Sequence, residues 1–170
     1  MPKIIENVRE QLLDEAKKQI AERGYAQTTV RSVASACGLG VGTVYNYFPS
    51  KDMLIASFMA DDWAKSIGKL KSEYDTPRAR LEDIYNMLID FARSHHSLFK
   101  DSNAEAVFHS VSSTHHKMLR EQLAELVFPV CDGAEDEDFL SEFVSESLLT
   151  WTMAGKPFDE IYKLIEKLLK

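Results

Sequence analysis

The stretch Cys37–Lys51, CGLGVGTVYNYFPSK, sets Gly38, Gly40 and Gly42, a short polar-aromatic run and a Pro-Ser stop close together. Just before it, Val30, Val33, Ala34 and Ala36–Cys37 give a short helix a small apolar face. Thr28 or Thr29 stands where a side-chain oxygen can accept from a free backbone N–H at that helix's start. The glycines then end the helix. A further helix fits Val41–Phe48 and stops at Pro49, which has no N–H to give. Helix, tight glycine turn and helix is the arrangement that places the second helix in the major groove of DNA, with the first bracing it across the backbone.

The residue types suit that placement. Gly40 and Gly42 keep the leading edge of the second helix narrow, so its backbone can come close to a duplex. Thr43 offers a hydroxyl and a methyl, which suit a phosphate, a base edge or the thymine methyl. Tyr45, Tyr47 and Lys51 are of the kind that anchors phosphates, and Asn46 of the kind that pairs with adenine. Val44 and Phe48 share the inward face and belong to the core, while Tyr45 can pack its ring and show only its hydroxyl. Cys37 reads as a small buried apolar residue.

Outward from this stretch the pattern stays helical. Ile5, Val8, Leu12, Leu13, Ala16 and Ile20 repeat at helical spacing over residues 4–23, and Gly24 stands at the C′ position. Ser50 caps a fourth helix, with Asp52 in its first turn and an apolar series, Met53, Leu54, Phe58, Trp63, Ile67 and Leu70, that predicts a run to Tyr74. Thr76–Pro77 opens a fifth helix whose stripe is Leu81, Ile84, Leu88, Phe91, His95 and Leu98, widened by Tyr85, Ile89, Ala92 and Phe99. A shorter piece over Ala104–Val111 and a helix over Thr114–Val130 follow. The last two helices, Asp138–Ala154 and Pro157–Leu169, are separated by so short a link that they form an antiparallel hairpin. The fold class expected is all-α: an N-terminal three-helix lobe over residues 1–51 and a helical lobe over residues 52–170.

The chain of 170 residues is acidic overall, at −7, but unevenly so. Residues 1–51 carry seven Lys/Arg against five acids, whereas the rest carries 13 Lys/Arg and 22 Asp/Glu. DNA responds to the local face as well as to the sum, so the first lobe is compatible with phosphate contact. Cys37 and Cys131 are read as reduced thiols, the first residues lack an apolar signal core, and no stretch approaches the roughly 20 apolar residues of a membrane span. The expectation is a cytoplasmic protein with no membrane partner.

The run TTVRSVASACGLGVGTVYNYFPSKDML closely resembles the DNA-binding segment of tetracycline-repressor (TetR)-type transcriptional regulators. That family often reads Thr-Val-Arg-Asp-Ile-Ala, then Ala-Gly-Val-Ser-Lys-Gly-Thr-Leu-Tyr-His-Tyr-Phe-Pro-Ser-Lys. The resemblance covers roughly residues 4–60; the remaining 110 or so residues resemble the family only in being helical. It implies that Arg31, Val41, Gly42 and Thr43 fall where members contact bases or adjoining phosphates, and Thr29, Tyr45, Tyr47 and Lys51 where they anchor the backbone. Three positions depart from the pattern. Ser32 replaces the usual acid and is expected to remove a Thr-x-x-Asp capping box. Gly40 replaces the usual Ser cap, and Val41 replaces a frequent Lys, which weakens phosphate attraction and opens an apolar contact to thymine.

For the second lobe the resemblance implies a small-molecule effector, of unknown identity, and dimerisation. Trp63, Tyr85, Leu88, His95, Phe99, Phe108, Met118 and Trp151 are the candidates to line an effector cavity, although each alone reads as ordinary core. Five histidines occur (His95, His96, His109, His115 and His116), and His95 continues the inward stripe, so its imidazole needs a partner. No pair of them has the spacing of a metal site, and none is expected. Phe143, Leu148, Trp151, Ile161, Leu164 and Leu168 of the terminal hairpin are the candidates for a homodimer contact, in which two hairpins form a four-helix bundle. Two recognition helices about 34 Å apart are needed to read successive major grooves, which one copy cannot supply. The expected function is therefore a ligand-responsive regulator, a repressor, binding a palindromic double-stranded operator as a homodimer. The rival is a family member without DNA binding that acts as a protein–protein coactivator. An enzyme is not expected: no nucleophile–base pair is evident, and the glycines lack the preceding strand of a dinucleotide site.

Overall fold

The computed structural model describes residues 7–99 and 113–169 of the chain. Among these residues every regular element is an α-helix. The elements are α1 (Val8–Gln27), α2 (Val30–Ala36), α3 (Val41–Tyr47), α4 (Lys51–Ile67), α5 (Pro77–Ser94), α6 (His96–Phe99), α7 (Ser113–Cys131), α8 (Glu137–Met153) and α9 (Phe158–Leu168). They sort into two compact units, one from the N-terminal region to Ala64 with the segment from His95, the other of Lys65–Ser94 and the chain from Thr114.

The first unit is built on α1. Leu12, Leu13, Ala16 and Ile20 share one face and are buried against Val30, Val33 and Ala34 of α2, Val44 and Phe48 around α3, and Leu54, Ile55 and Phe58 of α4. Gly24 breaks the helical run at φ +80°, as its C′ position predicts, and Tyr25–Gln27 add one more turn before α2. Ser50 caps α4, its Oγ accepting from Met53 N at 3.1 Å. The helix ends at Ile67, short of the expected Tyr74, and a turn bonds Lys69 N to Ser66 O. Gly68 and the stretch Lys69–Glu73, in which Leu70 is the one apolar residue, give no continuous apolar face to sustain it.

The stripe assigned to α5 also divides. Leu81, Ile84, Leu88 and Phe91 are buried as expected, joined by Met87, but α5 stops at Ser94. His95 and Leu98 belong to the first unit, where Leu98 completes the core. The imidazole is buried, as its place on the stripe predicts: Nε2 lies 3.1 Å from Asp62 Oδ2, and the ring stacks on Phe58 at 6.1 Å. Lys17 Nζ donates to the same Asp62 oxygen at 2.6 Å.

In the second unit α5 packs on α8 and α9. Leu81, Ile84 and Leu88 bury with Val144 and Leu148 of α8 and Ile161 and Ile165 of α9, while Leu123 and Val127 supply the inward face of α7. Asp136 caps α8 by accepting from Phe139 N. Gly155, at φ +76°, closes α8 with bonds from Gly155 N to Thr152 O and Lys156 N to Trp151 O, and four residues separate the two hairpin helices. Arg78 lies over the rings of Phe158 and Tyr162 and pairs with Asp159, which ties the start of α5 to α9. The piece expected over Ala104–Val111, with Phe108 and His109, lies outside the described residues, as do the side chains of Phe99, His115 and His116.

Candidate nucleic-acid interface

The geometry of α2 and α3 begins at Thr29. Its Oγ1 accepts from Ser32 N at 3.0 Å, and Ser32 Oγ accepts in return from Thr29 N at 3.1 Å. The capping box expected to be lost is therefore present, because a serine hydroxyl at the N3 position reaches the same backbone N–H that an acid would. Ser32 Oγ also lies 2.6 Å from Gln19 Oε1, and Gln19 Nε2 donates to Ser32 O at 3.2 Å, so buried Gln19 of α1 holds the start of α2 from behind. Sequence reasoning missed this clamp. Its one visible signal was a glutamine on the inward side of α1.

Gly38 makes the turn. At φ +66° it stands in the left-handed region, with Gly38 N bonded to Ser35 O and Leu39 N to Ala34 O. Leu39 packs on the core and directs the chain into α3. Gly40 caps α3 without a side-chain bond, and Phe48 N closes it onto Val44 O ahead of Pro49. Val44 and Phe48 face inward and anchor α3, as expected.

The opposite face of α3 is open to solvent. Tyr45, Asn46, Tyr47 and Gly42 are exposed, and Val41 and Thr43 are half-buried. Val41 and Tyr45 lie one helical turn apart and line, with Thr28, Thr29, Val30, Arg31, Pro49, Ser50 and Lys51, an open concavity of about 470 Å³. The structure thus gathers Thr29, Arg31, Val41, Tyr45 and Lys51 around one surface. Arg31 is exposed, and no described residue pairs with its guanidinium. Lys51 is committed differently: its Nζ donates to Tyr25 O at 2.9 Å and sits 3.4 Å from the centroid of the Tyr25 ring. The Tyr25 hydroxyl in turn donates to Asp52 Oδ1 at 2.7 Å. Lys51 is a held cation at the rim of the concavity rather than a mobile one. Burial, helped by the charge of Glu15, raises the Cys37 thiol above its ordinary value, so it stays protonated and fits the apolar role.

Six of the effector-cavity candidates have described side chains, and they divide between the two units. Trp63 and His95 are buried in the first. In the second, Leu88 is core, Tyr85 donates its hydroxyl to Lys156 O and packs on Phe158, and Met118 and Trp151 are exposed. The dimer candidates also divide. Phe143, Trp151, Leu164 and Leu168 are exposed, whereas Leu148 and Ile161 are buried inside their own chain and serve its core. Phe139 and Met153 join the exposed set. Among the described residues no cluster of histidine, cysteine and carboxylate groups could hold a metal ion, and no helix is long and apolar enough to cross a membrane.

Residues 12–58 match the family model described as bacterial regulatory proteins, tetR family. The chain is 31% identical over 83 residues to the HTH-type transcriptional repressor KstR2 of Mycolicibacterium smegmatis, covering 48% of this chain and 40% of that protein. It is 36% identical over 80 residues to the HTH-type transcriptional regulator BetI of Burkholderia mallei, covering 45% of this chain and 41% of that one. The aligned stretch thus spans about two fifths of the length of either relative. Among solved structures, a putative TetR-family transcriptional regulator from Rhodococcus sp. superposes with a TM-score of 0.65 at 13% identity, over 95% of this chain and 98% of that one. A TetR-like transcriptional regulator from Rhodococcus sp. RHA1 gives 0.55 at 20% identity, over 98% and 96%. At these identities the structural likeness establishes the all-α fold with its N-terminal helix-turn-helix.

Proposed function

We propose that this chain, whose residues 12–58 match the tetR family model, is a ligand-responsive transcriptional repressor of that family. The observation that carries this reading is the single face shared by α2 and α3. Thr29, Arg31, Val41, Tyr45 and Lys51 line its concavity, Gly42, Asn46 and Tyr47 of α3 are exposed beside it and Thr43 half-buried, and Val44 and Phe48 anchor α3 from behind. Arg31, Thr29, Tyr47 and the held Lys51 meet phosphates and fix the register, and Val41, Thr43 and Asn46 meet base edges. Two copies joined through the exposed side of the α8–α9 hairpin bring two such faces to an inverted-repeat operator. A small molecule bound in the lobe beyond residue 52 favours a state whose α3 helices no longer match successive grooves, and so releases the DNA.

Selection of duplexes from a random-sequence pool by the full chain tests this reading. The expected product is an inverted repeat whose half-site centres lie one helical turn, about 34–36 Å, apart. Binding of the selected duplex should weaken steeply with salt. A pool that enriches no sequence, with no retention of duplex at low salt, would overturn the reading in favour of a coactivator that works through protein contacts.

A further inference from the structure

We propose that Val41 reads the C5 methyl of a thymine, with Gly42 keeping the approach clear, so that α3 selects an A·T pair at its point of entry. The inference rests on the DNA-binding reading above and names what that face recognises. Between Cys37 and Ser50 there is no charged residue at all. Guanine is read best by a bidentate Arg or Lys, and α3 offers neither. What it offers instead is a β-branched apolar side chain. Val41 is half in the core and half in the concavity it shares with Tyr45 and Arg31. The buried half and the stiff χ1 of valine hold the exposed methyls in place before any ligand arrives. In the major groove the thymine methyl is the apolar feature such a group can meet.

Gly42 supports the same conclusion from another direction. A Cβ added there meets nothing within 4 Å, and its backbone is not in the left-handed region. Neither the packing nor the backbone of the fold needs glycine at this position, and glycine inside a helix weakens it relative to alanine. The space left beside Val41 therefore serves something outside the chain that must come close to the helix backbone.

The test uses the full chain and the duplex selected from the random pool. Each thymine is replaced in turn by deoxyuridine, which removes the methyl alone, and affinity is measured by fluorescence anisotropy at fixed salt. One thymine per half-site should cost the wild-type chain about three- to fourfold on replacement, the worth of one buried methyl-sized group. Val41→Ala should bind the thymine and uracil duplexes equally at that position. Thermal melting verifies that this variant is folded, and the wild-type series stands without it. The inference is overturned if no thymine responds, or if the same thymine responds equally in Val41→Ala. A pool from which nothing enriches would overturn the DNA-binding reading, and this inference with it.

Discussion

The α3 face and the terminal hairpin both hold large side chains in water, but of different kinds. On α3 the exposed rings are Tyr45, at 51%, and Tyr47, at 47%, each tipped with a hydroxyl, beside Thr43 and Asn46 of the same helix, and Tyr45 shares its concavity with Arg31, which pairs with no described residue. On the hairpin they are Phe139, at 62%, Phe143, Trp151, Leu164, at 63%, and Leu168, of which only Trp151 carries a polar handle. Exposed apolar area alone does not name a partner; the polar groups around it do. Hydroxyls and a guanidinium suit a hydrated polyanion, where each contact can end on a phosphate or a base edge. Bare phenyl and isobutyl groups suit a dry surface of the same kind, which a second hairpin supplies.

The largest effect that would sharpen this contrast is on the hairpin. Leu164→Glu places a charge in the proposed contact, and light scattering should then give the mass of one 19.3 kDa chain. Operator affinity should drop about 100-fold or more as the two half-sites lose their linkage. An unchanged dimer would break the comparison outright. On the other face, Arg31→Ala should cost about 1–3 kcal/mol of operator binding and leave the mass untouched. Because both copies lose a phosphate contact, the salt slope should also drop by about 2. Ser32→Ala removes one half of the box that starts α2, and urea unfolding should report a loss of about 1 kcal/mol. Smallest, and opposite in sign, Gly42→Ala should stabilise the fold by about 0.5–1 kcal/mol while weakening the operator complex. A variant that melts higher and binds as well would show that the open space at Gly42 serves no ligand.

The two regions also differed in how far they could be read from the residues. The α2–turn–α3 segment was legible because its signals are local. Thr29 caps, Gly38 turns, Pro49 stops, and the two-sidedness of α3 follows from Val44 and Phe48 against Tyr45 and Tyr47. Ser32 was misjudged because the capping box was sought in an acid, although a hydroxyl at the same offset does the same work. The hairpin was legible as a hairpin but not in its faces. Its apolar residues cover more than one stripe, and periodicity cannot say which stripe turns to α5; Leu148 and Ile161 went inward, Leu164 and Trp151 outward. The same blindness assigned His95 and Leu98 to the helix that precedes them, because spacing records a face and not the body it packs against.

That last misassignment carries a consequence for how the chain comes off the ribosome. The first unit is not contiguous: its core stays open until Leu98 arrives, and Asp62 waits for His95. The residues between, 65–94, belong to the other unit. At about 5–20 residues per second, translation imposes a pause of about two to six seconds in which α1–α4 exist without their closing segment. During that interval the nascent chain presents an unfinished apolar surface, so the order of synthesis exposes the first unit to chaperones or misassembly before its own core is sealed.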